Sequence, residues 1–215
     1  LRHFIFGVED GLIGALGLIT GISIATANPG IIILSGIALM LTQAVSMGAG
    51  TFLSIRSQQE YYDRVLRQEK REIEDVPEIE TQEVRDIYRN HGFEGRQLED
   101  LVKKITSNKR AWLSVMMAEE FGLMKKGLER PAVATVVMGL SVMLGAFIPL
   151  APYFFLSSLS AITFSVAATI GGLLAFGAAK TIFTKRNPLK GALEMVVVGG
   201  IAAAAGYLIG SAFTV

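Results

Sequence analysis

Five stretches of the chain are apolar at nearly every position, and a sixth, between the second and the third, mixes apolar and charged residues at helical spacing. The apolar stretches cover residues 4–24, 31–53, 132–150, 154–179 and 189–213. A helix needs about 20 apolar residues to cross a bilayer at a rise of ~1.5 Å each, so each stretch predicts a membrane span. Asn28-Pro29-Gly30 forms a charge-free turn after the first span, and Ile148-Pro149-Leu150-Ala151-Pro152 another after the third. The second span has no such ending. From Ser54 it continues as SIRSQQEYYDRVLRQEKREIEDV, free of Gly and Pro until Pro77. That predicts one helix that leaves the membrane and runs on into water.

In the charged stretch the apolar period predicts three more helices, over 78–89, 94–105 and 109–123, the first closed by Asn90-His91-Gly92 with His91 as a capping residue. The chain is therefore expected to be an all-α integral membrane protein. Five transmembrane helices would carry a helical domain inserted between spans two and three. The expected divisions are 1–59 for the first two spans, 60–127 for the inserted domain and 128–215 for the last three spans.

Composition agrees with this class: 51% of residues are hydrophobic and mean hydropathy is +0.48, too apolar for a soluble domain of 215 residues. The net charge of +1 hides a segregation, because residues 56–130 hold 15 of the 20 Lys and Arg and 16 of the 19 Asp and Glu. That block is mixed in sign, which argues against nucleic acid as a partner. A second basic cluster, KTIFTKRNPLK, separates the last two spans. Positive charge stays on the cytoplasmic side, so both blocks are expected there and the uncharged turns on the other face. No cysteine is present, which excludes thiolate metal sites, and Glu9 and Asp10 in the first apolar run argue against a signal peptide.

The candidate chemistry lies where charge and apolar sequence meet. Asp10 sits about 9 Å inside the first span, where a carboxylate costs roughly 2.5–3.5 kcal/mol unless it faces protein, water or an ion. Glu9 is a step away, and solvation at the interface is the competing reading for it. Met47 lies at similar depth on the second span, between Ala44 and the glycines 48 and 50. Beyond the span, Glu69/Glu72 and Glu80/Glu83 form two pairs spaced three apart, each on one helical face, with Pro77 between them to let the faces meet. The last helix of the block adds Met116, Met117, Glu119 and Glu120. Carboxylates with adjacent thioethers suit Fe²⁺ and similar divalent ions better than Mg²⁺. The alternative is a solvated helical surface in which these glutamates pair with neighbouring Arg and Lys. Glu194, early in the last span, is read first as an ion-pair partner of the basic loop, and Gly206-xxx-Gly210 and Ser141-xxx-Gly145 as sites of close helix packing or a subunit contact.

Taken together, FGVEDGLIGALGLITG, AVSMGAG, EKREIEDVPEIETQEV, AWLSVMMAEEFGL and GAFIPLAPYFF resemble the vacuolar iron transporter family, which includes the yeast vacuolar iron and manganese importer and prokaryotic relatives. The resemblance covers nearly the whole chain and is nearest a prokaryotic-type member. It implies a homodimer of five-span subunits that moves Fe²⁺, and Mn²⁺ in some members, out of the cytosol by proton antiport. It also implies a cytoplasmic metal-binding domain. The family's membrane ligands fall on Asp10 and Met47, its cytoplasmic glutamates on Glu69, Glu72, Glu80, Glu83 and Glu120, and its methionine pair on Met116 and Met117. Some members carry a glutamate in span two where this chain has Leu39, for which Glu9 or Glu194 would have to substitute.

The resemblance implies no enzyme activity and no resident cofactor, only the transported Fe²⁺ or Mn²⁺ and a regulatory metal in the cytoplasmic domain. The expected partners are divalent metal ions, protons, the lipid bilayer and a second copy of the chain. The expected location is multi-pass, in the cell membrane if prokaryotic or the vacuolar membrane if eukaryotic, with residues 56–130 cytoplasmic. The rival class is a membrane-anchored metal-sensing or protein-interaction domain without transport. Asp10 argues against it, because an inert anchor has no use for a carboxylate inside its first span.

Overall fold

The computed structural model describes residues 1–124, 129–156, 158–185 and 187–213, without the side chains of 158, 159 and 182–184. Among the described residues it contains eight α-helices and no strand: α1 (Arg2–Ala25), α2 (Pro29–Asp75), α3 (Pro77–Asn90), α4 (Gly95–Thr106), α5 (Lys109–Glu119), α6 (Pro131–Leu150), α7 (Ser158–Thr184) and α8 (Pro188–Ala212). Five of them, α1, α2, α6, α7 and α8, are long and apolar enough to cross a membrane. The chain divides into two compact units, Leu1–Phe52 with Pro131–Val215, and Leu53–Arg130.

Local chemistry sets the helix ends. Asn28 Oδ1 accepts the Gly30 N–H at 2.9 Å, and Pro29, which has no N–H to satisfy, starts α2. No breaker follows for 47 residues, and α2 stops only at Asp75, where Pro77 opens α3. Asn108 caps α5 by accepting from the N–H groups of Arg110 and Ala111, and Asn187 caps α8 by accepting from Leu189. Boundaries differ from the sequence expectation in three places, the first being the fourth span, expected over 154–179 and found as α7 over Ser158–Thr184. Helix α5 ends at Glu119 and not near 123, because Gly122 takes a left-handed φ of +64° and turns the Leu123 N–H back to Met117 O. At the end of the third span, α6 runs through Pro149 to Leu150, and the turn is a 3₁₀ segment, Ala151–Phe154.

In the first unit α1 is the central helix, packed along α6 and α8. Its glycines divide the work. Gly7 and Gly11 let α6 approach so closely that a Cβ on Gly11 would strike Val142 O, while Gly145 on α6 returns the contact against Val8 O. Further along, Gly17 and Gly21 meet Gly206 and Gly210 of α8 backbone to backbone. The two small-residue patterns, Ser141-xxx-Gly145 and Gly206-xxx-Gly210, thus bind α6 and α8 to α1 within one subunit. Helix α2 reaches the bundle through Ile32, Gly36 against Leu150, Gln43 against Gly14, and Gly48 beside Thr135. Its outward positions Leu34, Leu41 and Val45 stay exposed, as suits a surface facing lipid.

Because the α1–α8 contact is backbone on backbone, a side chain at Gly206 cannot be absorbed by rotamer change. Gly206→Leu is expected to lower the melting temperature of the purified protein by several degrees or abolish its recovery, whereas Gly200→Leu, with open space around its Cβ, is expected to be tolerated. Thermal unfolding in detergent reads both.

The second unit holds the charged half of α2 with α3, α4 and α5. Its core gathers Ile73, Val84, Leu98, Val102, Ile105, Trp112 and Met116, and a smaller cluster joins Tyr62, Val65 and Met117. Leu98, Val102 and Ile105 recur at helical spacing on α4, which gives that short helix its one buried face. Arg85 clamps α3 to α4 by donating to both carboxylate oxygens of Glu99, at 2.8 and 3.1 Å.

Candidate metal pathway and carboxylate cluster

Asp10 lies on α1, half-buried, in the midst of an apolar helix. Its carboxylate is held by α2: Gln43 Nε2 donates to Asp10 Oδ2 at 2.5 Å and leans on the Asp10 main-chain oxygen at 3.3 Å. Sequence reading missed Gln43. The signal was present, since it is the only amide within the apolar half of α2 and lies one helical turn before Met47. Met47 is half-buried and packs on the cluster of Ala44, Met138 and Val142, with Met143 beside it. Glu9 is placed differently. It lines a cavity of about 780 Å³ with Arg2, Lys180, Lys190 and Glu194, so both spare acidic residues share one space with the bases of the last loop.

In the second unit the break at Pro77 brings α3 back against α2, and the two glutamate pairs meet. Glu69 of α2 and Glu80 of α3 are 2% and 4% exposed, and their side chains hydrogen-bond to each other. Two carboxylates in contact cannot both be ionised cheaply, so one keeps its proton. Burial pushes Glu69 up to about 8, helped by its hydrogen bond to Glu80 and by the charges of Glu80, Glu120 and Glu72. Burial also raises Glu80, with Glu83 and Glu72 adding to it, against the lowering effect of the bond from Glu69. At the C-terminal end of α5, Glu120 is exposed, yet partial desolvation and the charges of Glu83, Glu80 and Glu72 push it up to about 7.

These mutual effects make neighbours of all five glutamates singled out in the sequence. Among the described residues none of the five joins an ion pair. The ion pairs of this unit use Glu60, Glu74, Asp86, Glu99, Asp100 and Glu119 instead. Glu69 Oε1 and Glu80 Oε2 are buried without any hydrogen-bond partner, an arrangement that a cation would relieve. Among the described residues no three Asp, Glu, His or Cys side chains converge closely enough to cage an ion.

The remaining sequence candidates fall as follows. Met116 and Met117 are both buried, and because successive helical residues point about 100° apart they enter different clusters, Met116 with Trp112 and Met117 with Tyr62. His91 is the C-cap of α3. Its Nε2 lies 3.8 Å from Glu119, and its ring meets Tyr88 edge-on.

The sequence profile of the VIT family matches residues 1–211. Vacuolar iron transporter 1 of Arabidopsis thaliana is 37% identical over 208 residues, which cover 96% of this chain and 83% of that protein. A vacuolar iron transporter of Centaurea cyanus is 38% identical over 208 residues, covering 96% and 85%. Protein CCC1 of Saccharomyces cerevisiae is 29% identical over 217 residues, covering 96% and 67%. These relatives come from plants and yeast, so the expectation of a prokaryotic-type member is not borne out.

Proposed function

The chain belongs to the VIT family, whose members are transporters and not enzymes, and on that premise we propose that it carries Fe²⁺, with Mn²⁺ as a second substrate, out of the cytosol in exchange for protons. The observation that carries the reading is the carboxylate of Asp10, held half-buried inside a helix of membrane-spanning length. A bilayer helix keeps such a group where an ion or a proton needs it. Met47, one turn beyond Gln43 on α2, adds a thioether, and an oxygen with a sulfur attracts a borderline transition ion more than Ca²⁺ or Mg²⁺. Too few ligands for tight capture let the ion leave again.

In this reading residues 60–127 form a cytoplasmic metal-binding domain, with Glu69, Glu72, Glu80, Glu83 and Glu120 as its acidic ligands and Met116 and Met117 opening toward the ion from their packed positions. The unpartnered oxygens of Glu69 and Glu80 support that role. The names of the relatives and the multi-pass architecture favour the vacuolar membrane; in this reading the charge distribution puts 56–130 in the cytosol, and a homodimer is the working unit. Proton antiport follows from the chemistry of Asp10: a protonated carboxyl is neutral and a poor ligand, so a proton arriving from the far side releases the metal.

Purified protein in proteoliposomes with an acidic lumen is expected to take up Fe²⁺ and Mn²⁺ well above Co²⁺ and Zn²⁺, and a protonophore is expected to stop it. Uptake indifferent to the pH gradient would remove the antiport, and no uptake of any of the four ions would remove transport altogether.

A further inference from the structure

The amide of Gln43 docks on a single turn of α1, from Asp10 to Gly14. Its Nε2 reaches both the Asp10 carboxylate and the Asp10 carbonyl, and Gly14 leaves it the space: a Cβ there would come within 3.0 Å of Nε2 and 3.3 Å of Oε1. Both acceptors belong to Asp10, so the amide cannot flip without setting its oxygen against a carboxylate. That leaves Oε1 fixed beside Asp10, buried, with no hydrogen-bond partner. An amide oxygen shut away from water and unpaired is a standing cost that a cation at Asp10 would remove. On α2, Gln43 and Met47 are four residues apart and therefore share a face.

We propose that Gln43 is a positioning and specificity residue of the intramembrane path: its NH₂ group holds the Asp10 carboxylate in place, and its Oε1 is a second oxygen ligand for the passing divalent ion. The inference rests on the reading of Asp10 as a pathway residue. A neutral oxygen keeps the site at one negative charge. The ion gains a ligand without gaining a second carboxylate to escape from, and the oxygen, oxygen, sulfur set remains suited to Fe²⁺ and Mn²⁺.

Initial rates of Mn²⁺ uptake into proteoliposomes, measured against Mn²⁺ concentration, test this. Gln43→Leu keeps the bulk and loses both functions of the amide, and is expected to raise KM about tenfold with the maximal rate within about twofold. Gln43→Glu keeps an oxygen in reach but doubles the charge, and is expected to hold KM near wild type while lowering the maximal rate. Gly14→Ala crowds the amide without touching any charge and is expected to raise KM as Gln43→Leu does. A residue that only packs would instead lower the melting temperature and leave KM alone, and an unchanged KM in either Gln43→Leu or Gly14→Ala, once inserted, overturns the proposal. Asp10→Asn is run beside them: wild-type transport in it removes the pathway reading itself, whereas an inactive Asp10→Asn beside a wild-type Gln43→Leu removes Gln43 alone.

Discussion

Asp10→Asn is expected to abolish metal uptake or cut it at least about tenfold, with the protein still folded and inserted. The substitution preserves shape, and the new amide oxygen can still accept from Gln43 Nε2, so the α1–α2 contact survives. What disappears is the charge. In the low dielectric of the bilayer a cation without a carboxylate has only neutral ligands to offset its lost hydration, and a proton has no carrier at that depth. Met47→Ala is expected to act in the same direction, but its side chain also packs on Met138 and Val142, so a melting curve must accompany the rate. Uptake at the wild-type rate in both inserted variants would move the path elsewhere, and the cavity that joins Glu9 to Glu194 would be the next place to look.

The helices of this protein are legible in its sequence because their signals are local. Asn28-Pro29, Pro77, Asn108 and Asn187-Pro188 each stop or start a helix through their own backbone chemistry, and the apolar runs are long enough to leave no other element type. The glycine pairs were legible as packing sites but not as to partner, since whether Gly206 meets α1 or a second subunit depends on contacts far apart in the chain. The same limit hid Gln43. A lone amide in an apolar run carries no information about which of the acidic residues it will face, and the match in depth pointed to Met47, one turn further on. In the acidic block the i, i+3 spacing located the glutamates, yet spacing cannot distinguish a salt-bridged surface from a carboxylate cluster. That distinction comes from where the bases turn: Arg85 crosses to Glu99 of α4 and Arg89 pairs with Asp86 on its own helix, while Glu69 and Glu80 face each other.

In a metal-free buffer the second unit is expected to lose stability as the pH rises. Trp112 is the only tryptophan and lies in the core of that unit, so its fluorescence reports unfolding there in the full-length protein in detergent. The folded-state value of Glu69 is about 8 against about 4.5 when exposed, so between those limits the folded form holds a proton that the unfolded form has released. Stability then falls with rising pH, being fully present below the unfolded value and lost by the time the pH passes the folded one. Glu80 shifts in the same direction. Glu120 does too, but it is exposed and screened by solvent, so the effect lies mainly with the buried pair. The melting temperature is expected to drop by several degrees from about pH 5.5 to about pH 8.5, and Mn²⁺ added at the higher pH, by taking the place of the proton, is expected to restore it. Glu69→Gln replaces the protonated acid with a neutral group that can still donate to Glu80, so it is expected to flatten the pH dependence and weaken the rescue by Mn²⁺. A wild-type melting temperature that is level across this range, or a Mn²⁺ effect that Glu69→Gln leaves intact, would return these glutamates to the role of ordinary helix surface.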